Sequence, residues 1–311
     1  ARSAVRDCRI NARRPLLLRK TGPAAVAGEY DRFPRPFDLG AIVHMDINRW
    51  MACFAPMALL FSSPALAQDA DELAKKLSNP VASLISVPLQ FNYDDGIGPT
   101  DDGSKTFVNV QPVIPVSISE DWNLISRTIV PITYQENIFP GAGSQFGLGD
   151  TLQSVFFSPK EPTASGWTWG VGPVLYLPTA SDELLGAEKW GAGPTAVVLK
   201  QTKDGWTYGA LVNHVWSFAG EDNRADISST FLQPFLAKGL GQGRTLSANL
   251  ESTYDWKGSV WTVPINLGYS KVSKIGSQLV SYQGGIRYYA QAPDNGADWG
   301  LRFTFTLLYP K

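Results

Sequence analysis

Histidine and cysteine are nearly missing: two of each stand in 311 residues. Cys8 and Cys53 precede residue 68, and of His44 and His214 only the second lies beyond it. Past residue 67 there is therefore no disulfide, no thiol nucleophile and no His/Cys cluster of the kind that holds zinc. Charge is scarce too. Asp, Glu, Lys and Arg make up 18% of the chain, against about 25% in a soluble domain. Residues 1–67 take 10 of the basic side chains, which leaves 17 basic against 23 acidic residues beyond them, a net of −6. That balance offers no surface for nucleic acid. After residue 67 no apolar run is long enough for a membrane helix. Aromatic residues, by contrast, are plentiful, and nine of the ten tryptophans follow residue 67.

The chain divides by pattern. Residues 1–44 are rich in arginine and show neither helical nor strand periodicity; they are expected to be a disordered, non-native upstream extension. Residues 45–67 have the design of a secretory signal peptide. Met45 opens it, Arg49 is its positive end, Trp50–Phe61 its apolar stretch and Ala65-Leu66-Ala67 its cleavage site. Cleavage is expected before Gln68. Residues 68–80 are a short helix, with Leu73 and Leu77 four apart and Pro80 as its stop.

From residue 81 to 311 the period is two. The last stretch is the clearest. Trp299, Leu301, Phe303, Phe305, Leu307 and Tyr309 share one face, while Gly300, Arg302, Thr304, Thr306 and Leu308 share the other. Twelve such segments are expected: Ser83–Tyr93, Lys105–Ile118, Asn123–Tyr134, Gly147–Ser158, Trp167–Leu177, Trp190–Gln201, Trp206–Ser217, Ile227–Lys238, Arg244–Asp255, Ser259–Val272, Gln278–Tyr289 and Trp299–Leu308. Each is about ten residues or slightly more, the length a tilted strand needs to cross a bilayer. Links after even-numbered strands are compact and those after odd-numbered ones mostly longer, as in single-chain outer-membrane barrels. Aromatics gather at strand ends, among them Trp122, Tyr134, Trp167, Trp190, Trp206, Trp216, Trp261, Tyr269 and Trp299, which fits two interfacial girdles. The expected fold is all-β: an antiparallel transmembrane β-barrel of about twelve strands with a short N-terminal helix, in the cell outer membrane.

Six segments carry a family likeness: LSNPVASLISVPLQ (Leu77–Gln90), SRTIVPI (Ser126–Ile132), GLGDTLQSVFFSP (Gly147–Pro159), WGVGPVLYLPTA (Trp169–Ala180), KWGAGPTAVVL (Lys189–Leu199) and YGALVNHVWSFAG (Tyr208–Gly220). With them the chain resembles the bacterial outer-membrane transporter family labelled for a MetA pathway of phenol degradation, whose members are often mislabelled neuromedin U. The resemblance implies an outer-membrane barrel and little about the solute. The chain departs from barrels that stop at a terminal aromatic, since Pro310 and Lys311 follow Tyr309.

Alternation and energetics choose the candidate site. A lipid-facing arginine at mid-bilayer costs roughly 2–4 kcal/mol, so Arg302 and Arg287 are expected inside. With them go Asn109, Gln111, Arg127, Asn249, Glu251 and Gln283 as lumen-lining residues. Glu251 is expected to offset the arginines, and replacing Arg287 and Arg302 together by alanine is expected to spare folding and change conductance. The acidic residues Asp94, Asp95, Asp101 and Asp102 are placed in one loop and Asp182, Glu183 and Glu188 in another, as solvated loops rather than a metal site. His214 and Ser217, three apart on a strand, point to opposite faces and cannot form a dyad. Two G-x-G-P segments, Gly170–Pro173 and Gly191–Pro194, lack the third glycine and the helix of a dinucleotide loop. The reading is a non-enzymatic channel for small, aromatic or hydrophobic solutes, with no cofactor. Its partners are outer-membrane lipid and lipopolysaccharide, a small-molecule solute and, during biogenesis, the barrel-assembly machinery; nucleic acid is excluded. The alternatives are a structural barrel without transport and an outer-membrane lipid hydrolase.

Overall fold

The structure, a computed structural model, describes residues 64–310, with side chains from Asp69 to Pro310. The expected upstream extension and nearly all of the expected signal peptide lie outside the described residues. The first element is a helix, α1 (Pro64–Leu77). It begins before Gln68 and ends before Asn79, the bounds read from periodicity. The end shifts because Ser78 closes the helix: its backbone N–H and its Oγ both donate to the Ala74 carbonyl, at 3.2 and 3.0 Å. Lys75 and Lys76 occupy the last turn, where the helix dipole favours cations.

Twelve antiparallel strands follow. They are β1 (Leu84–Ile97), β2 (Gly103–Val110 and Val113–Ser117), β3 (Trp122–Glu136), β4 (Ser144–Leu148 and Thr151–Pro159), β5 (Trp167–Leu177) and β6 (Lys189–Gln201). Then come β7 (Trp206–Gly220), β8 (Ser228–Gly241), β9 (Arg244–Leu250 and Ser252–Asp255), β10 (Val260–Ile275), β11 (Gln278–Gln291) and β12 (Trp299–Pro310). Each pairs with the next, and β12 pairs with β1 in a register that sets Arg302 opposite Asn92. The sheet therefore closes and leaves no open edge, as a strand-only chain in lipid requires.

Every expected strand exists, and several run further than the apolar pattern. β1 continues through Asp94 and Asp95 to Ile97, and β7 continues to Gly220. Beyond the bilayer a hairpin needs its ladder but not an apolar face, so periodicity in the sequence stops before the strand does. The links after odd strands span four to eleven residues and those after even strands two to seven. Of the two two-residue links, Gln242-Gly243 between β8 and β9 has positive φ at both residues (57° and 72°), the turn that matches hairpin twist.

Three strands are interrupted, each opposite a proline. Gln111 lies across from Pro88 on β1, Gly149 across from Pro131 on β3, and Glu251 across from Pro264 on β10. Proline has no N–H to give the ladder, so only its carbonyl is used, accepting from Gln111, Gly149 and Glu251 at 2.9, 2.9 and 3.1 Å. At Gly149 the register with β3 also slips by one residue, between Ile132↔Leu148 and Ile129↔Leu152.

The two faces of the wall separate cleanly. On β12 Leu301 and Phe303 are each 49% exposed while Arg302 is 9% exposed. Eight of the nine aromatics expected in the girdles are exposed; Trp167 is half-buried, edge-on to Tyr208 with ring centres 5.9 Å apart. Trp122 and Trp169 stack near the short-turn end, and Tyr93 and Trp299 near the long-loop end.

Candidate functional site

The lumen has two unlike walls. On the β11–β12–β1 side it is charged and polar. Arg302 grips Glu251 of β9 with both terminal nitrogens, each at 2.8 Å, and donates from Nε to Asn92 Oδ1 at 2.8 Å. Such a fork-to-fork pair is the strongest geometry available to arginine and carboxylate. One position nearer the long loops, Arg287 donates to the same Asn92 oxygen at 3.2 Å and pairs with Asp94 at 3.3 Å. Tyr289 completes that layer, accepting from Arg287 and donating to Asp94, both at 2.9 Å. The shared Asn92 oxygen sits between two guanidinium groups that would otherwise repel. Glycine makes the room: a Cβ at Gly300 would collide with Asp94 Oδ1 and the Tyr93 carbonyl.

On the β3–β7 side a cluster of the inward residues is apolar. Ile125 and Phe156 stand opposite each other on β3 and β4, Val197 and Leu211 on β6 and β7, and all are buried together with Leu199 and Val81. Close strand approach helps to build this wall. A Cβ at Gly172 or Gly193, in the two G-x-G-P segments, would strike the carbonyl of Val155 or His214 on the next strand.

α1 sits inside the short-turn end of the barrel. Leu73, Ala74, Ala70 and Leu77 pack on Leu84, Val272, Leu308 and Leu279. The helix is tied by polar bonds as well. Asp71 Oδ1 accepts from the Gly243 N–H at 2.6 Å, and Gln201 Nε2 donates to the Lys75 carbonyl at 2.8 Å.

Besides a cavity of about 520 Å³ between α1 and the β6–β7 turn, two cavities lie along the lumen, about 540 Å³ toward the long loops and about 300 Å³ beside α1. They share six lining residues: Gln90, Gln111, Arg127, Gln233, Asn249 and Gln283. This ring of five amides and one arginine is the waist of the lumen. Arg127 donates to Gln111 Oε1 at 3.2 Å, and Gln111 donates to Gln90 Oε1 at 3.2 Å.

Of the eight residues expected to line the lumen, Asn109, Gln111, Arg127, Asn249, Glu251, Gln283 and Arg302 surround the larger cavity. Arg287 is turned away from it, into the layer with Asp94. Glu251 does offset an arginine, but only Arg302; Arg287 takes Asp94 instead. Asp94 is thus not a loop residue but a 4% exposed strand residue facing inward. The double replacement of the arginines by alanine would strand two buried carboxylates, so the expectation that it spares folding does not hold. Gln90, Asn92, Tyr289 and Gln233 belong to these networks and were not singled out from the sequence; the available signal was alternation within a strand, which puts Asn92 on the face of Gln90 and Tyr289 on the face of Arg287.

Ser217 and His214 do not meet. His214 Nδ1 bonds Thr230 Oγ1 at 2.7 Å, and Ser217 Oγ bonds Asp226 at 3.2 Å. Glu188 of the second acidic loop pairs with Arg224 at 3.1 Å. Among the described residues no cluster of His, Cys, Asp or Glu is arranged to hold a metal ion.

Closed pairing, a girdled apolar exterior and a polar interior define the class: an antiparallel twelve-stranded β-barrel of the outer membrane. No protein-family model matches the chain, and no curated protein matches it. Solved structures do. An outer membrane channel from Pseudomonas putida F1 aligns with a TM-score of 0.58 and 13% identity, over 73% of this chain and 96% of that one. Outer membrane phospholipase A from Escherichia coli aligns at 0.43 and 12% over 72% and 90%, and the KdgM porin in complex with disordered oligogalacturonate at 0.40 and 11% over 72% and 98%. At these identities the likeness is one of fold.

Proposed function

We propose that this barrel is a passive channel for small solutes, with α1 as a plug at its short-turn, periplasmic end. The observation that carries the reading is a pair of lumen cavities that share a ring of polar lining residues, space that side chains of a twelve-stranded barrel can otherwise fill. Asn109, Gln111, Arg127, Asn249, Glu251, Gln283 and Arg302 line that path, and Arg287 braces it from the layer above. Lipid and lipopolysaccharide surround the wall, and the barrel-assembly machinery inserts it. Processing before Gln68 keeps the part of α1 that touches the barrel, from Ala70 to Leu77. The apolar wall favours solutes that carry aromatic or hydrophobic groups.

Conductance in planar bilayers tests this. The parent protein is expected to show small steps. Leu73→Asp, which expels α1 from its apolar seat, is expected to show larger ones. If neither conducts, the barrel is structural. Ester hydrolysis by folded protein in detergent, abolished in His214→Ala, would establish a hydrolase in place of a channel.

A further inference from the structure

Arg127 is a lumen cation without an ion-pairing carboxylate. Arg302 is neutralised by Glu251 and Arg287 by Asp94, but among the described residues no acidic oxygen lies within ion-pair distance of Arg127. Its one hydrogen bond to a side chain is with the neutral amide of Gln111. It stands at the waist, where both cavities meet. Within the larger cavity it shares the lining with Ile129, Leu152, Val215, Ile227 and Phe231, an apolar set contributed by β3, β4, β7, β8 and the segment just before β8. The cavity volume of about 540 Å³ is in the range of small-molecule sites.

We infer that the larger cavity is a binding site for a small organic monoanion, a carboxylate on an apolar body, held with its carboxylate on Arg127 and its body against Phe231 and Ile129. A guanidinium with no ion-pair partner gains from an anion that reaches it, and its fork matches a carboxylate. The charge limits the ligand to one negative charge, since Arg302 is already spent on Glu251. The apolar side of the cavity selects against hydrophilic anions of the same size. The inference deepens the channel reading and rests on it for its biological meaning, while the binding itself does not.

Benzoate, benzyl alcohol and benzylamine, alike in shape and different in charge, are the probes. Binding to folded protein in detergent is measured by calorimetry, and anion against cation permeability by reversal potential in planar bilayers. Benzoate is expected to bind roughly ten- to hundredfold more tightly than the other two, the scale of one charge-assisted hydrogen bond. Arg127→Gln should abolish that preference, and Arg127→Lys should restore part of it, which separates loss of charge from loss of fold. Equal binding of the three probes, or a benzoate preference that survives Arg127→Gln, overturns the inference. Conductance without benzoate preference sinks the site and spares the channel. Benzoate preference without conductance spares the site and sinks the channel.

Discussion

On the β11–β12–β1 side of the lumen, four charged groups are arranged as two pairs about one asparagine oxygen. On the β3–β7 side, Ile125, Phe156, Val197, Leu199 and Leu211 fill the barrel with hydrocarbon. Both walls are well buried, yet they are stabilised differently. The apolar wall depends on volume, and each side chain contributes through whatever surrounds it. The charged wall depends on pairing, because removing one ion leaves its partner desolvated and unmatched. The difference predicts which substitutions can be repaired.

Arg302→Ala is expected to have the largest effect, about 3–5 kcal/mol of lost stability, since it leaves the Glu251 carboxylate buried without its partner. Arg302→Leu combined with Glu251→Leu should recover most of that loss, because a matched apolar replacement removes both desolvation costs. Equilibrium unfolding in urea, read by tryptophan fluorescence in lipid, measures both. If the double variant is no more stable than Arg302→Ala, pairing is not what holds this wall.

Leu211→Ala is the counterpart on the other wall, expected to cost about 2–5 kcal/mol through lost contact and a residual cavity. Here a second truncation at its cross-strand neighbour, Val197→Ala, should add to the loss and not relieve it. Repair by the second change would erase the distinction between the walls.

The strands were legible in the sequence because lipid on one side and lumen on the other enforce alternation over ten residues. The walls were not. That Glu251 would offset an arginine was legible, but not which one: it meets Arg302 across the barrel interior, three strands away, and no local pattern chooses between Arg302 and Arg287. Asp94 looked like a loop residue because Asp94-Asp95-Gly96 reads as a turn, whereas the ladder runs on past the membrane. The apolar wall did leave a trace. In Ala196-Val197-Val198-Leu199 alternation fails, the mark of a strand apolar on both faces, with Val198 outward and Val197 and Leu199 packed inside. The seat of α1 left a similar one, since Leu308 is an apolar residue on the otherwise polar face of β12, and it packs on the helix.

The smallest effect is expected outside the bilayer, where the carboxylate of the pair stands in water. Lys189, at the start of β6, pairs with Asp226 in the β7–β8 loop at 3.3 Å, and Ser217 also donates to Asp226. The hydrogen bond from Lys189, with that from Ser217, holds the Asp226 carboxyl below the ordinary aspartate range. A carboxyl lowered in the folded state contributes stability above its unfolded pKa and loses it as pH falls through the folded one. The loop should therefore be indifferent to pH between 5 and 8 and loosen only below about 4, where aspartate ordinarily titrates. Asp226 is 62% exposed, against 7% for Lys189, so salt and water reach the pair through the carboxylate, and global stability should barely register its loss. Cleavage by pepsin within residues 221–227 is the sensitive readout. Asp226→Asn should make the loop as cleavable at pH 4.5 as the parent becomes at pH 3. Were Asp226→Asn to destabilise the whole barrel as Arg302→Ala does, burial would not be what separates a costly ion pair from a cheap one in this protein.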